Sequence, residues 1–128
     1  MSNHVHLVLI PHKDEALGLA LRYAQGRYAA YFNARYATSG HLWQGRYYSC
    51  PLDTEHLWAA LRYTECNPVR AQMVDAPDRY RWSSAAIHCG GTLEAVPLRI
   101  DLELWRATWN CSTWREFLDQ SDRDEETD

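Results

Sequence analysis

An α+β fold is predicted by three observations: an alternating run at residues 3–10, two longer stretches with helical period, and an aromatic, strand-like segment at 41–49 between them. In Asn3-His4-Val5-His6-Leu7-Val8-Leu9-Ile10 a period of two sends His4 and His6 to one face and Val5, Leu7 and Leu9 to the other. Two imidazoles on one strand face can share a divalent metal, or can simply form the polar side of a half-buried strand. A chain of 128 residues is one domain with enough length for a core that needs no disulfides.

After the first strand, Pro11-His12-Lys13 breaks the alternation and Asp14 is placed to cap a helix running to about Arg35, with Leu17, Leu21, Ala24, Tyr28, Tyr31 and Phe32 as apolar positions. Gly26 in its interior costs about 1 kcal/mol relative to Ala, which points to close packing or to the close approach of a ligand backbone. Thr38-Ser39-Gly40 is a turn, and His41 to Ser49 comes next as the irregular strand. Asp53 or Thr54 caps the next helix, which carries Leu57, Trp58, Ala60, Leu61 and Thr64 and is expected to stop near Asn67, because Pro68 disfavours a helical residue before it. Tyr63 and Asn67 then share a face, one turn apart. One further turn is expected within 69–74, loops at 75–78 and 82–84, and a break at Gly90-Gly91. Residues 92–111 give no clear period. Thr113 with Glu116 resembles a capping box for a terminal helix from Trp114 to about Gln120, before an acidic tail of disordered composition at 121–128.

The two Phe are outnumbered by six Trp and eight Tyr, so the aromatic surface carries N–H and O–H tips suited to polar partners. No apolar run approaches a membrane span and no signal-type sequence opens the chain, so the expected location is the cytoplasm. Cysteines at 50, 66, 89 and 111 form no CxxC pair, which argues against a zinc ribbon or a redox motif. The net charge of −4 counts against a nucleic-acid binder, but it resides at the end of the chain. Residues 1–98 carry nine Lys/Arg against eight Asp/Glu, and residues 99–128 four against nine. The cations of the first part are nearly all arginine, whose forked donors suit phosphate and whose planar face suits base stacking.

The histidine pair and the segment Tyr63-Thr64-Glu65-Cys66-Asn67-Pro68-Val69-Arg70-Ala71 together resemble the REP-associated tyrosine transposases, single-tyrosine members of the HUH superfamily related to small insertion-sequence transposases. Gly26-Arg27-Tyr28, Gly40-His41-Leu42-Trp43-Gln44-Gly45-Arg46 and Tyr80-Arg81-Trp82-Ser83-Ser84 resemble further signatures in the same order, so the likeness covers roughly residues 1–84. It implies a ferredoxin-like core at 1–84, of antiparallel sheet with helices packed on it, followed by a C-terminal extension at 85–120. It also implies that His4, His6 and Asn67 hold Mg²⁺ or Mn²⁺. Tyr63 would attack a phosphodiester of single-stranded or hairpin DNA, at REP-like palindromes, giving a 5′-phosphotyrosine and a free 3′-hydroxyl. Arg46 is the leading candidate for phosphate contact, with Arg27, Arg62 and Arg70 behind it and Trp43, Tyr47 and Tyr48 as stacking candidates.

Family members carry several dozen residues before the histidine strand, whereas this chain begins at the motif. The strand is therefore expected to keep an unpaired edge, which favours self-association. Cys66 stands where the pattern leads one to expect Leu. Three readings are open: an active nicking and rejoining transposase, an inactive DNA-binding remnant of one, and a metal-dependent hydrolase using His4 and His6 with a carboxylate such as Glu65 or Asp53.

Overall fold

The computed structural model describes residues 3–92 and 100–120, and its regular structure is entirely helical. The helices are α1 (Ala16–Tyr36), α2 (Thr54–Arg70), α3 (Ala85–His88), α4 (Leu102–Arg106) and α5 (Cys111–Asp119), with a 3₁₀ turn at Pro77–Arg79. No strand occurs among the described residues, which overturns the expected α+β, ferredoxin-like sheet and its strands at 3–10 and 41–49. Alternation supplies only the faces of a strand; the backbone also needs a neighbour to bond to, and an isolated pair is already marginal. Residues 3–10 have no ladder partner among the described residues, and their apolar side stays open, with Val5 69 % and Leu7 58 % exposed. Without a sheet among the described residues, the sheet edge expected to drive self-association is absent there too. The acidic tail at 121–128 lies outside the described residues.

The chain divides into two compact units, Leu9–Leu52 and Met1–Val8 with Asp53–Asp128. In the first, α1 starts without the Asp14 cap: Glu15 holds the cap position with no side-chain bond, and the Ala16 N–H closes the turn on the Lys13 carbonyl at 3.0 Å. At the far end Ala37 turns left-handed (φ 52) and returns its N–H to the Asn33 carbonyl. Asn33 then orders the loop, donating Nδ2 to the Gly40 carbonyl at 3.2 Å and accepting the Thr38 hydroxyl at 2.9 Å. The Trp43 indole N–H reaches the Gln25 carbonyl at 2.9 Å, which fixes the returning segment against the helix. No residue of α1 is buried. A Cβ on Gly26 would meet nothing within 4 Å, so the close packing expected there is absent.

In the second unit Asp53 caps α2 as expected, accepting the His56 backbone N–H at 2.9 Å and lying 2.7 Å from His56 Nδ1. The backbone bond first, and the ring second, hold its carboxyl below the usual carboxylate range. The helix does not stop at Asn67 but runs through Pro68 to Arg70. Proline forfeits one helical hydrogen bond. Burial of Pro68 offsets this, as do closing bonds from the Ala71, Gln72 and Met73 N–H groups to the carbonyls of Asn67, Val69 and Pro68, each 2.9 Å. Gln72 (φ 56) then ends the helix.

The core gathers Cys66, Cys89, Trp105, Trp114 and Leu118, with Trp58, Leu61, Leu102, Trp109 and Phe117 packed on it. Trp114 is fully buried, its ring 5.0 Å from Trp109 and 6.3 Å from Trp58. α5 begins three residues earlier than expected because Asn110 is its cap: the Asn110 side chain accepts from the Thr113 N–H at 3.0 Å while the Thr113 hydroxyl accepts from the Asn110 N–H at 3.1 Å. Thr113 does belong to a capping box, as its inner partner. Gly91 lies so close to α3 that a Cβ would stand 2.8 Å from the Ala86 carbonyl oxygen.

Candidate active site

Along the middle of α2 the side chains of Glu65, Cys66 and Pro68 are buried, and Tyr63, on the outer side, is 45 % exposed. Helical period accounts for the split, since positions two and three residues on from Tyr63 turn toward the core. The Tyr63 ring meets the His6 ring edge-on at 5.6 Å between centroids, and His6 meets His4 in the same manner at 5.1 Å. Over the Tyr63 face stands the guanidinium of Arg70, its Cζ 4.6 Å from the ring centroid. Seven residues are almost two helical turns, which returns Arg70 to the side of Tyr63. His4 Nδ1 lies 2.6 Å from the Asn3 amide oxygen. A proton on that nitrogen would satisfy the amide and leave Nε2 as the ring's acceptor, the arrangement a ligating imidazole uses.

The His4 and His6 rings are close enough for both to reach one divalent ion. Imidazole nitrogens coordinate at about 2.1 Å, so two rings on one ion stand roughly 5 Å apart, and the pair is 5.1 Å apart. Among the described residues no group of three His, Cys, Asp or Glu side chains that could hold a metal ion gathers, so an ion held by the two imidazoles would need further donors of another kind. Asn67 lies one turn beyond Tyr63 on α2 and is half-buried. The carboxylates of the hydrolase reading are committed elsewhere. Glu65 is fully buried behind α2, and Asp53 caps that helix.

The other sequence candidates fall into two groups. Arg27 and Arg46 are exposed, and Arg27 lies 5.9 Å over the Tyr23 ring. Arg62 and Trp43 serve the protein itself: Arg62 donates Nε to the Phe117 carbonyl at 2.8 Å and a second nitrogen to that of Gln120, and Trp43 is bonded to α1, its ring 5.8 Å from Tyr28. Sequence reasoning missed the pairing of Arg70 with Tyr63, although their seven-residue interval carries the signal. It also missed the bonds that Glu65 makes with Ser84, His88 and Trp114, which bring together segments far apart in the chain.

The profile of the family described as "Transposase IS200 like" matches residues 1–67, just over half of the chain. The chain belongs to the IS200-like transposases. Comparison with curated proteins and with solved structures gives no match. The matched stretch contains both histidines, Tyr63 and Asn67, and membership of a transposase family makes DNA the partner and transposition the general activity. No described helix is long and apolar enough to cross a membrane.

Proposed function

We propose that this transposase nicks and rejoins single-stranded or hairpin DNA through a covalent bond to Tyr63. The observation that carries the reading is the exposed phenol flanked by the His6 ring and the Arg70 guanidinium. In the forward step the Tyr63 oxygen attacks a backbone phosphorus, the phosphorus to 3′-oxygen bond breaks, the phenol proton is released, and the departing oxygen takes up a proton as a free 3′-hydroxyl. The 5′-phosphate stays on Tyr63 as a diester, so the energy of the cleaved bond is conserved for the reverse attack that rejoins a strand. Arg70 offers a fixed positive charge over the face of the Tyr63 ring, on the side of the helix where the phosphate would be attacked. His4 and His6, with Asn67 as a third donor, would hold Mg²⁺ or Mn²⁺, which supplies charge neutralisation at phosphate oxygens when bound. Exposed arginines of residues 9–52, Arg27 and Arg46 among them, are suited to hold the strand by its phosphates.

A second reading, an inactive remnant that binds DNA without cutting it, is favoured by the lack of any ladder under the histidine segment among the described residues. Incubation with labelled hairpin DNA and Mn²⁺, followed by denaturing electrophoresis, separates the two. The expected result is a covalent adduct that is absent in Tyr63→Phe. A folded protein that binds the hairpin with steep salt dependence and yields no adduct would establish the remnant instead.

A further inference from the structure

Behind Tyr63, on the other side of α2, lies a charged group that the chemistry at the phenol does not use. Glu65 has no exposed surface, and its carboxylate is met by three side chains from two segments, α3 with its cap and α5. Oε1 accepts the Ser84 hydroxyl at 2.5 Å and lies 2.6 Å from His88 Nδ1, while Oε2 accepts the Trp114 indole N–H at 2.9 Å. His88 is itself buried and stacked on Trp105, with ring centroids 4.9 Å apart and planes within 18°. The neighbouring residues of the same turn are fastened too. Arg62 bonds the Phe117 and Gln120 carbonyls, and the Cys66 thiol reaches the Leu118 carbonyl at 3.7 Å. Thus Arg62, Glu65 and Cys66 all bind the segment that carries α3 and α5, and Tyr63 between them faces outward.

Ser84, His88 and Glu65 do not form a second nucleophilic centre. Serine and histidine both address the same carboxylate oxygen, so the hydroxyl is not presented to the ring, and Glu65 and His88 are both buried. A buried carboxylate with several donors instead fixes geometry: its bonds are charge-assisted and directional, and leaving any of them unmade inside the protein is unfavourable.

We infer that Glu65, held by Ser84, His88 and Trp114, is a positioning residue for Tyr63, and that the segment beyond the family match serves the nicking reaction as a brace behind the tyrosine helix. The inference rests on the proposed chemistry at Tyr63, because its consequence is a rate. A displacement of about 1 Å at a reacting group costs on the order of 10²-fold. Loosening the turn that carries Tyr63 therefore slows attack without weakening the hold on DNA.

Glu65→Gln, which keeps the side-chain volume, and Trp114→Phe, which keeps a buried aromatic ring but loses the indole N–H, each remove part of the clasp. In folded samples of both, hairpin affinity is expected within about twofold of the parent while single-turnover adduct formation falls roughly 10- to 100-fold. Glu65→Ala is expected to be slower than Glu65→Gln, since glutamine still offers an acceptor. Unchanged adduct rates in folded Glu65→Gln and Trp114→Phe overturn the inference, as does a rate loss matched by the loss of binding. A fluorotyrosine placed at position 63 gives a reading that needs no catalysis. One sharp ¹⁹F resonance in the parent, broadened or split in Glu65→Gln, supports the brace, and identical resonances overturn it. If the parent forms no adduct, the chemistry at Tyr63 fails on its own and the resonance still decides the brace.

Discussion

The two compact units of this transposase differ in charge and in burial. Residues 9–52 hold five Lys/Arg against two Asp/Glu, and from 16 to 52 there are eight aromatic residues and no carboxylate at all. The remainder holds eight cations against fifteen carboxylates and contains every buried residue described. The overall charge of −4 is therefore the difference between a basic, aromatic, open unit and an acidic, packed one. An acidic protein can thus present a surface suited to DNA, because phosphate and base respond to charge and aromatic faces nearby, over a Debye length of about 10 Å, and not to the sum over the chain. Tyr63 belongs to the packed unit, where its helix has a core behind it.

The sharpest way to break this contrast is to remove the centre of the packed unit. Trp114→Ala deletes a fully buried ring and the donor to Glu65, and is expected to cost about 3–5 kcal/mol. Thermal melting followed by tryptophan fluorescence checks it. A loss below about 1 kcal/mol would mean that the tryptophan cluster is not what holds the unit together.

Next in size is the effect of charge on the open unit. Replacing Arg27 and Arg46 together by Ala is expected to weaken single-stranded DNA binding roughly 10-fold and to flatten the log–log salt dependence by about 0.7 for each phosphate left without its arginine. The melting temperature should stay within the range of ordinary surface changes, about 0.5 kcal/mol. Equal binding to the parent across a salt titration would remove the assignment of recognition to residues 9–52.

The smallest effect is a difference among thiols. Burial pushes the Cys89 thiol up to about 11, whereas Cys50 and Cys111 are exposed. At neutral pH a thiol reagent is expected to modify Cys50 and Cys111 quickly and Cys89 only through unfolding. Because the folded value is raised above the unfolded one, the protonated thiol stabilises the fold fully below the unfolded value, and that contribution is lost as pH rises toward 11. A Cys89→Ala variant should therefore show a shallower alkaline loss of stability than its parent.

Much of the site was legible in the sequence because its members stand at helical or strand spacing from one another. The interval between Tyr63 and Asn67 put both on one helix, the Asp53 cap marked where that helix begins, and His4 with His6 was legible as a pair. The sheet was not, because alternation at 3–10 describes faces while a strand also requires a neighbour that no described segment provides. The end of α2 was misread for a related reason. Pro68 disfavours a helix locally, and its burial and the bonds around Gln72 reverse that preference.

By itself the sequence determined the features that depend on neighbours a few positions apart: the helix that carries Tyr63, the histidine pair, and the family to which the motif belongs. The tertiary structure alone decided the features that depend on distant segments meeting. It turned Arg62 and Trp43 inward to serve carbonyl groups, set Arg70 over the phenol, and drew Ser84, His88 and Trp114 around Glu65. The physical reason is that a buried carboxylate must find its donors wherever the chain brings them, and a one-dimensional pattern carries no record of which segments those will be.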